Sequence, residues 1–459
     1  MKKIITLLVV IVVVALLIPI VGSQMMDKEI TKKLDLLKSH GVAQKDSSEN
    51  FTYFSTSKHY KLIVKDSDKF VRYLQQFSDN KLQSYITDLV DGVVVGVDIK
   101  HSNIPYSESI SLDIYPLTLS KKFMDEVAKH DLGFHQFIES FLERKALLYH
   151  LNYNIIKTKF DGYIKNISES YTIDNDKKIT FNLKGSSFNG DGLPMKPDRI
   201  DSLTKELSLK IVEPNENINL IFKNILSTAS IKSSNTYSYM TQTELSRFEI
   251  NSVNNLKILA EMKKLSLNIS SDTRANKAQL VTKASFEKLQ IMNNNKKVSL
   301  DGFNYNLFIK DIDKDNYEKL QRLFSESKSL QSKRVKDKMS NIVMKILAKG
   351  LEISLVDLSI KNIDYSEEKN LNGFSINSNI LITEDADLAK LSQYDQNQVI
   401  EKITLDSSLK VSKKVINVLI KEFPIVMIVK HYGKESAEDF VYDIKQKDGS
   451  LTINGKSLR

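Results

Sequence analysis

The chain has 459 residues, a net charge of +9 from 66 basic and 57 acidic side chains, no cysteine and no tryptophan. The missing cysteines exclude disulfides, thiolate metal ligands, thiol nucleophiles and a lipidated cysteine. A 41% share of hydrophobic residues can bury a substantial core, which excludes general disorder, and the lysines are too dispersed for the basic, aromatic-studded blocks that grip nucleic acid.

Ile4–Val21 is one uncharged apolar run, preceded only by Met1, Lys2 and Lys3. Through Gly22 it counts 19 residues, which as a helix nearly covers the ~30 Å hydrocarbon core of a bilayer. The expectation is a single transmembrane helix within residues 1–24. Its membrane-facing side chains are Ile4, Leu7, Val10, Val14, Leu17 and Ile20, and Lys2 and Lys3 set its topology. A cleaved secretory signal is the rival reading, although its apolar region is usually about 7–15 residues long and Val21-Gly22-Ser23-Gln24 is a poor cleavage site. The expected location is the bacterial inner membrane, single-pass, with the bulk of the chain in the periplasm.

Residues 25–50 read as a stalk and linker. Glu29–His40 has the polarity of a short helix stopped by Gly41, and Gln44–Asn50 reads as connecting chain. Residues 51–185 form an α+β part. Val93, Val95, Val97 and Ile99 alternate, as do Ile110, Leu112 and Ile114, then Tyr149, Leu151, Tyr153 and Ile155, then Ile179, Phe181 and Leu183. Helical spacing appears within Asp68–Asp91, Lys121–His130 and Gln136–Leu148. The turn cluster Asn189-Gly190-Asp191-Gly192 marks the expected boundary, and residues 186–459 read as a β-rich part. There Leu207, Leu209 and Ile211 alternate, as do Leu265, Leu267 and Ile269, then Phe303, Tyr305, Leu307 and Ile309, then Phe374, Ile376, Ile380 and Ile382. A helical stretch covers Asn316–Lys349, with a charged middle at Ser325–Ser340, and Val411, Val415, Val418 and Leu419 make an amphipathic stripe closed by Pro424. The fold class expected is α+β: mostly antiparallel, strand-rich twisted sheet with amphipathic helices packed on one face, plus the transmembrane helix.

Catalytic signatures are missing from the sequence. The seven histidines are scattered, and the closest pair, His130 and His135, has the wrong spacing for two ligands on one helical face. Asp311-Ile312-Asp313-Lys314-Asp315 opens like a calcium loop, but Asn316 and Arg322 stand where Gly and Glu are needed. A strand ending near Ile312 and a helix capped by Asp313 or Asp315 accounts better for it. Glu384-Asp385-Ala386-Asp387 likewise reads as a helix start. No catalytic, cofactor or metal residue is expected.

The order and texture of Asp301–Phe324, Leu351–Asn362, Gly373–Ile382 and Leu405–Phe423 resemble the YdgA-like family of bacterial membrane-anchored envelope proteins, whose domain has no known function. The closing Tyr442-Asp443-Ile444 and Asp448–Lys456, with Asp448-Gly449 as a hairpin turn and Asn454-Gly455 as a second, is the most specific part. Members often continue past this hairpin with a helix, whereas the present sequence is read only to Arg459. The resemblance implies an envelope location and transfers no catalytic motif. The expected function is a non-enzymatic envelope structural or partner-binding module. Lipid or apolar-ligand binding along a sheet groove is the first alternative, and a periplasmic hydrolase the second. The expected partners are the inner membrane, an envelope protein or a second copy of the chain, and lipid, with no nucleic acid.

Overall fold

The computed structural model describes residues 26–76, 85–104, 109–173, 176–214, 216–231, 238–253, 258–293, 296–326, 332–365, 368–384, 401–423 and 426–457. The chain divides into two compact units at Lys205/Glu206. Every strand pair with a defined register is antiparallel.

In the first unit, helix α1 (26–39) stops at Gly41, whose φ of +89° only glycine adopts readily. The strands follow as β1 (Val42–Phe51), β2 (Ser55–Val64), β3 (Val94–Ser102), β4 (Ser109–Thr118), β5 (Tyr149–Asn154) and β6 (Lys159–Ile164), each paired with the next. The longer β8 (Lys177–Leu193) pairs with β7 (Ile167–Ile173) along its first half and with β6 along its second. Helices α2 (Ser67–Gln75), α3 (Tyr85–Val90), α4 (Lys121–His130) and α5 (Leu132–Glu143) fill the connections. Asp66, Ser120 and Asp131 cap α2, α4 and α5 by accepting from first-turn N–H groups. α1 lays Ile30 and Leu34 on Tyr60, Leu62, Val97, Ile99, Ile110 and Leu112, the inward residues of β2–β4. Strand β9 (Lys196–Glu213) carries the chain across the boundary.

The second unit is a meander of long strands: β10 (Glu216–Ile231), β11 (Tyr239–Val253), β12 (Ile258–Arg274), β13 (Lys277–Asn293), β14 (Lys296–Asp313), β15 (Leu351–Tyr365), β16 (Glu368–Ile382) and β17 (Ile403–Ser412). After β17 come β18 (Lys434–Ser436), β19 (Asp439–Lys447), β20 (Ser450–Ile453) and β21 (Lys456–Ser457), with β19 beside β17. Helices α6 (Lys314–Glu326) and α7 (Lys333–Ala348) bury Tyr317 and Ile346 against Ala278, Ile312, Leu351 and Ile382. Helices α8 (Lys413–Glu422) and α9 (Val426–Tyr432) close a second core around Leu371, Val411, Val415, Ile416, Phe440 and Tyr442.

The expected fold class needs one correction. The antiparallel sheet with helices on it is present, but among the described residues no helix is long and apolar enough to cross a membrane. α1 shows why for its own length: it carries Asp27, Lys28, Glu29, Lys32, Lys33, Asp35 and Lys38, charges that hydrocarbon does not tolerate. The run expected to cross, with Ile4, Leu7, Val10, Val14, Leu17, Ile20, Lys2 and Lys3, lies outside the described residues.

Smaller expectations also shift. Gln44–Asn50 is no linker: it lies in β1 and pairs with β2, with a bulge at Lys45. Asn189–Gly192 lies inside β8, and the chain turns instead at Pro194-Met195. The helical stretch Asn316–Lys349 is described as α6 and α7, which end and begin within its charged middle Ser325–Ser340; residues 327–331 between them lie outside the described residues. Asp313 does cap α6, accepting from the Asn316 N–H at 3.0 Å. Val411 belongs to β17, and Ser412 caps the helix that follows. The Glu384–Asp387 start and Pro424 lie at or outside the described residues.

Candidate ligand-binding face

The long strands of the second unit carry a phase slip in their side-chain alternation. In β10 one face carries the apolar residues Ile218, Leu220 and Phe222, then Ile225, Ala229 and Ile231, while Ile221 and Leu226 fall on the other. An even-numbered series becomes an odd-numbered one at Asn224. The ladder to β11 keeps constant register through this point, from Lys223↔Arg247 to Ile225↔Leu245, with only the 224–246 rung missing. Asn224 has φ +51°. The same slip falls at Lys264 in β12 (φ +51°) and at Gly302 in β14 (φ +68°). In β12, Ala260 and Met262 give way to Leu265, Leu267 and Ile269; in β14, Val298 and Leu300 give way to Phe303, Tyr305, Leu307 and Ile309.

By register these positions share one transverse row, because 224 faces 246, 264 faces 246 and 287, and 302 faces 287 and 361. Their side chains serve the row itself. Asn224 Nδ2 donates to Ser246 Oγ at 3.1 Å, Lys264 pairs with Glu287, and a Cβ on Gly302 would stand 3.0 Å from Lys361 Cβ.

The slip keeps the apolar series on one face; the opposite face is mostly polar, although Ile221, Leu226, Met240, Leu259 and Met292 lie on it. Phe374 on one side of the row, with Ile363 and Leu371 on the other, belongs to the same buried cluster. One polar recess on the opposite face takes Asn304, Ser359 and Ser375 from one side and Asn362 and Asn372 from the other. A period-two pattern that ran unbroken would have swapped the faces. A left-handed residue in alternate strands prevents that.

The result is an apolar face running through β10–β14. Phe222 and Phe248 meet at 4.8 Å between ring centroids, and Phe286 and Phe303 stack at 4.8 Å. Between them lie Ile250, Ala260, Met262, Leu265, Leu289 and Leu300, with threonine the usual interruption (Thr241, Thr243, Thr282). The other face is charged: Arg247 joins Glu249 and Glu261, and Lys288 faces Asp301 at 3.6 Å. Helices cover only part of the apolar face. α6 packs on β13 and β14, and α8 on β16 and β17. Among the described residues neither core cluster of the unit includes a residue of β10 or β11. Along this face Leu245 is buried, while Leu267 and Ile291 remain 37% and 40% exposed.

The first unit holds a second arrangement that register alone creates. His59 lies opposite Asp98, Asp98 opposite Asp113, Asp113 opposite His150, and His150 opposite Tyr163. His59 Nδ1 is 2.5 Å from Asp98, and His150 Nδ1 2.6 Å from Asp113. Tyr115 OH and Lys145 Nζ donate to the other Asp98 oxygen at 3.0 and 3.2 Å. Burial alone would raise the Asp98 carboxyl, but the hydrogen bonds from His59, Tyr115 and Lys145 outweigh it and hold it below the ordinary range. Two carboxylates side by side on neighbouring strands repel, and each is matched by its own histidine. The side chains are partly exposed, and among the described residues no three His, Asp or Glu groups gather as a metal set. The row is a cross-strand ladder of hydrogen-bonded histidine and aspartate side chains.

Sequence reasoning treated all seven histidines as solitary. His59 and Asp98 stand 39 positions apart, and no local pattern announces their meeting. Compared with protein-family models and with curated protein sequences, the chain matches none. The likeness to the YdgA-like family therefore rests on the residues that suggested it.

Proposed function

We propose that the apolar face of β10–β14 binds long apolar ligands, of which lipid acyl chains are the natural class. The observation that supports this reading is a face of aliphatic and aromatic side chains, kept continuous past the phase slip, over whose β10 and β11 part neither core cluster of the unit extends among the described residues. Contiguous exposed apolar surface of this kind marks binding sites in soluble folds. At about 3.3 Å per residue and about 4.8 Å per strand, five strands of 15–18 residues make a surface some 50 Å by 20 Å. Acyl chains need no directional partner, which suits a face whose polar groups are small hydroxyls and whose charges sit on the opposite side.

Lipids retained by the purified full-length chain, identified by mass spectrometry after organic extraction, test the reading. The expected result is bound lipid in the native protein and at least about tenfold less after Leu267→Asp combined with Leu245→Asp, each an apolar contact replaced by a charge that a bound acyl chain would cover. The N-terminal apolar run is common to both proteins, so the difference reports the face. Equal retention by the folded variant, or none by the native chain, overturns the proposal.

A further inference from the structure

The hairpin tip joining β1 to β2 exposes four large apolar side chains. Phe51, Tyr53 and Phe54 are 52%, 37% and 65% exposed, and Ile104, just beyond β3, is 44% exposed. Isolated apolar residues on a surface need no explanation, but four at one apex form a patch. The apex is also built to hold them. Asn103 is fully buried beneath it. Its Nδ2 donates to the Thr52 carbonyl at 2.7 Å, its backbone N–H to the Phe54 carbonyl at 2.9 Å, and its Oδ1 accepts from Thr56 Oγ1 at 2.8 Å. Thr52 Oγ1 closes the turn on the Ser55 carbonyl at 2.6 Å, and the Tyr53 and Phe54 rings meet edge to face at 4.8 Å. A preorganised aromatic apex loses little freedom when something covers it.

The start of the described chain says what that is. α1 runs along the sheet from this end. Asp27 pairs with Lys58 at 2.8 Å, close to where Thr56 faces His101, Ile30 then meets Tyr60 and Ile99, and Gly41 reaches Asp66 at the far end. The sequence before residue 26 therefore joins the unit on the side of the aromatic tip. That sequence contains the 18 uncharged residues Ile4–Val21, which favour lipid over water. We infer that the β1–β2 tip docks at a lipid surface, with Phe51, Phe54 and Ile104 entering the upper acyl region and Tyr53 at headgroup level, where its ring is apolar and its hydroxyl stays wet. The site is separate from the apolar face of the second unit and stands or falls independently of it.

The absence of tryptophan makes the test direct. Phe54→Trp places a sole indole at the apex, and Leu89→Trp places one on the exposed side of α3, at the opposite end of β2 and β3, as a reference. Each full-length variant is reconstituted into phosphatidylcholine–phosphatidylglycerol vesicles with or without brominated acyl chains. The expected result is a blue-shifted emission for the 54 variant and at least about twofold quenching by shallow bromines, with the 89 variant unaffected. Tyr53→Trp repeats the measurement should the 54 variant fail to show the native circular dichroism spectrum. Quenching no greater than at position 89 overturns the inference, as does shielding that requires an added protein fraction instead of lipid.

Discussion

Tyr317 shows how much a single side chain can link in this fold. Only 3% exposed, it sits between α6 and the sheet, and its hydroxyl donates to Ser271 Oγ of β12 at 2.7 Å. Burial pushes its pKa from 10 up to about 12. The folded state thus keeps a proton that the unfolded chain releases near pH 10, so this contribution is intact below pH 10 and is lost as pH rises toward about 12. Tyr317→Phe is expected to cost roughly 1–1.5 kcal/mol at neutral pH through the lost hydrogen bond. It is also expected to flatten the decline of stability between pH 10 and 12 relative to the parent. Urea unfolding across that range, parent against variant, reads both effects. A decline equally steep in the variant would assign it to other groups.

At the scale of the strand, the transverse row of left-handed residues carries the strongest structural prediction. Asn224, Lys264 and Gly302 adopt the same backbone conformation with side chains of unequal tolerance for it. A Cβ in the left-handed region costs roughly 1–2 kcal/mol, least for asparagine and nothing for glycine. Lys264→Gly is therefore expected to be neutral or to stabilise by up to about 1 kcal/mol, although it removes the Lys264–Glu287 pair. Gly302→Ala is expected to destabilise by about 1–2 kcal/mol, because its Cβ would press on Lys361 as well as strain the backbone. Opposite signs for these two substitutions at neighbouring points of one row, read as shifts in melting temperature, would support the slip as the cause. Matching losses would refute it.

The row also explains what was legible in the sequence at this scale. Each alternating stretch is real but is half a strand: Leu265–Ile269 is one side of the slip in β12, and Phe303–Ile309 one side of it in β14. Period-two reading breaks off where the phase changes, so 15–18-residue strands look like short ones. Lys264 offers no hint of a left-handed conformation. The tight hairpin turns were legible because their chemistry is local: Asp448-Gly449 and Asn454-Gly455 all take positive φ.

For the whole molecule, apolar-ligand binding predicts a stability response. A ligand bound only by the folded state adds RT ln(1 + [L]/Kd), about 2.7 kcal/mol at a hundredfold excess over Kd. A twelve-carbon fatty acid, added below its micelle concentration, is expected to raise the melting temperature of the full-length chain by several degrees. The double aspartate variant of β11 and β12 should show no rise. A rise in both would place the ligand elsewhere, and a fall in the parent would mean that the fatty acid acts as a denaturing detergent.

The amino-acid sequence by itself determined the class of secondary structure and the local punctuation. Alternation specifies a strand, a serine or aspartate before an amphipathic stretch starts a helix, and Gly41 or Asp448-Gly449 ends or reverses a segment, because each depends on residues within a few positions of one another. Only the tertiary structure decided which strands meet, and so which side chains share a face. The pairing of His59 with Asp98, the burial of Asn103 beneath Phe54, and the merging of two half-strand patterns into one apolar surface all depend on register between segments distant in the chain. Register is set by the summed packing of both faces, and no single stretch of sequence contains that sum.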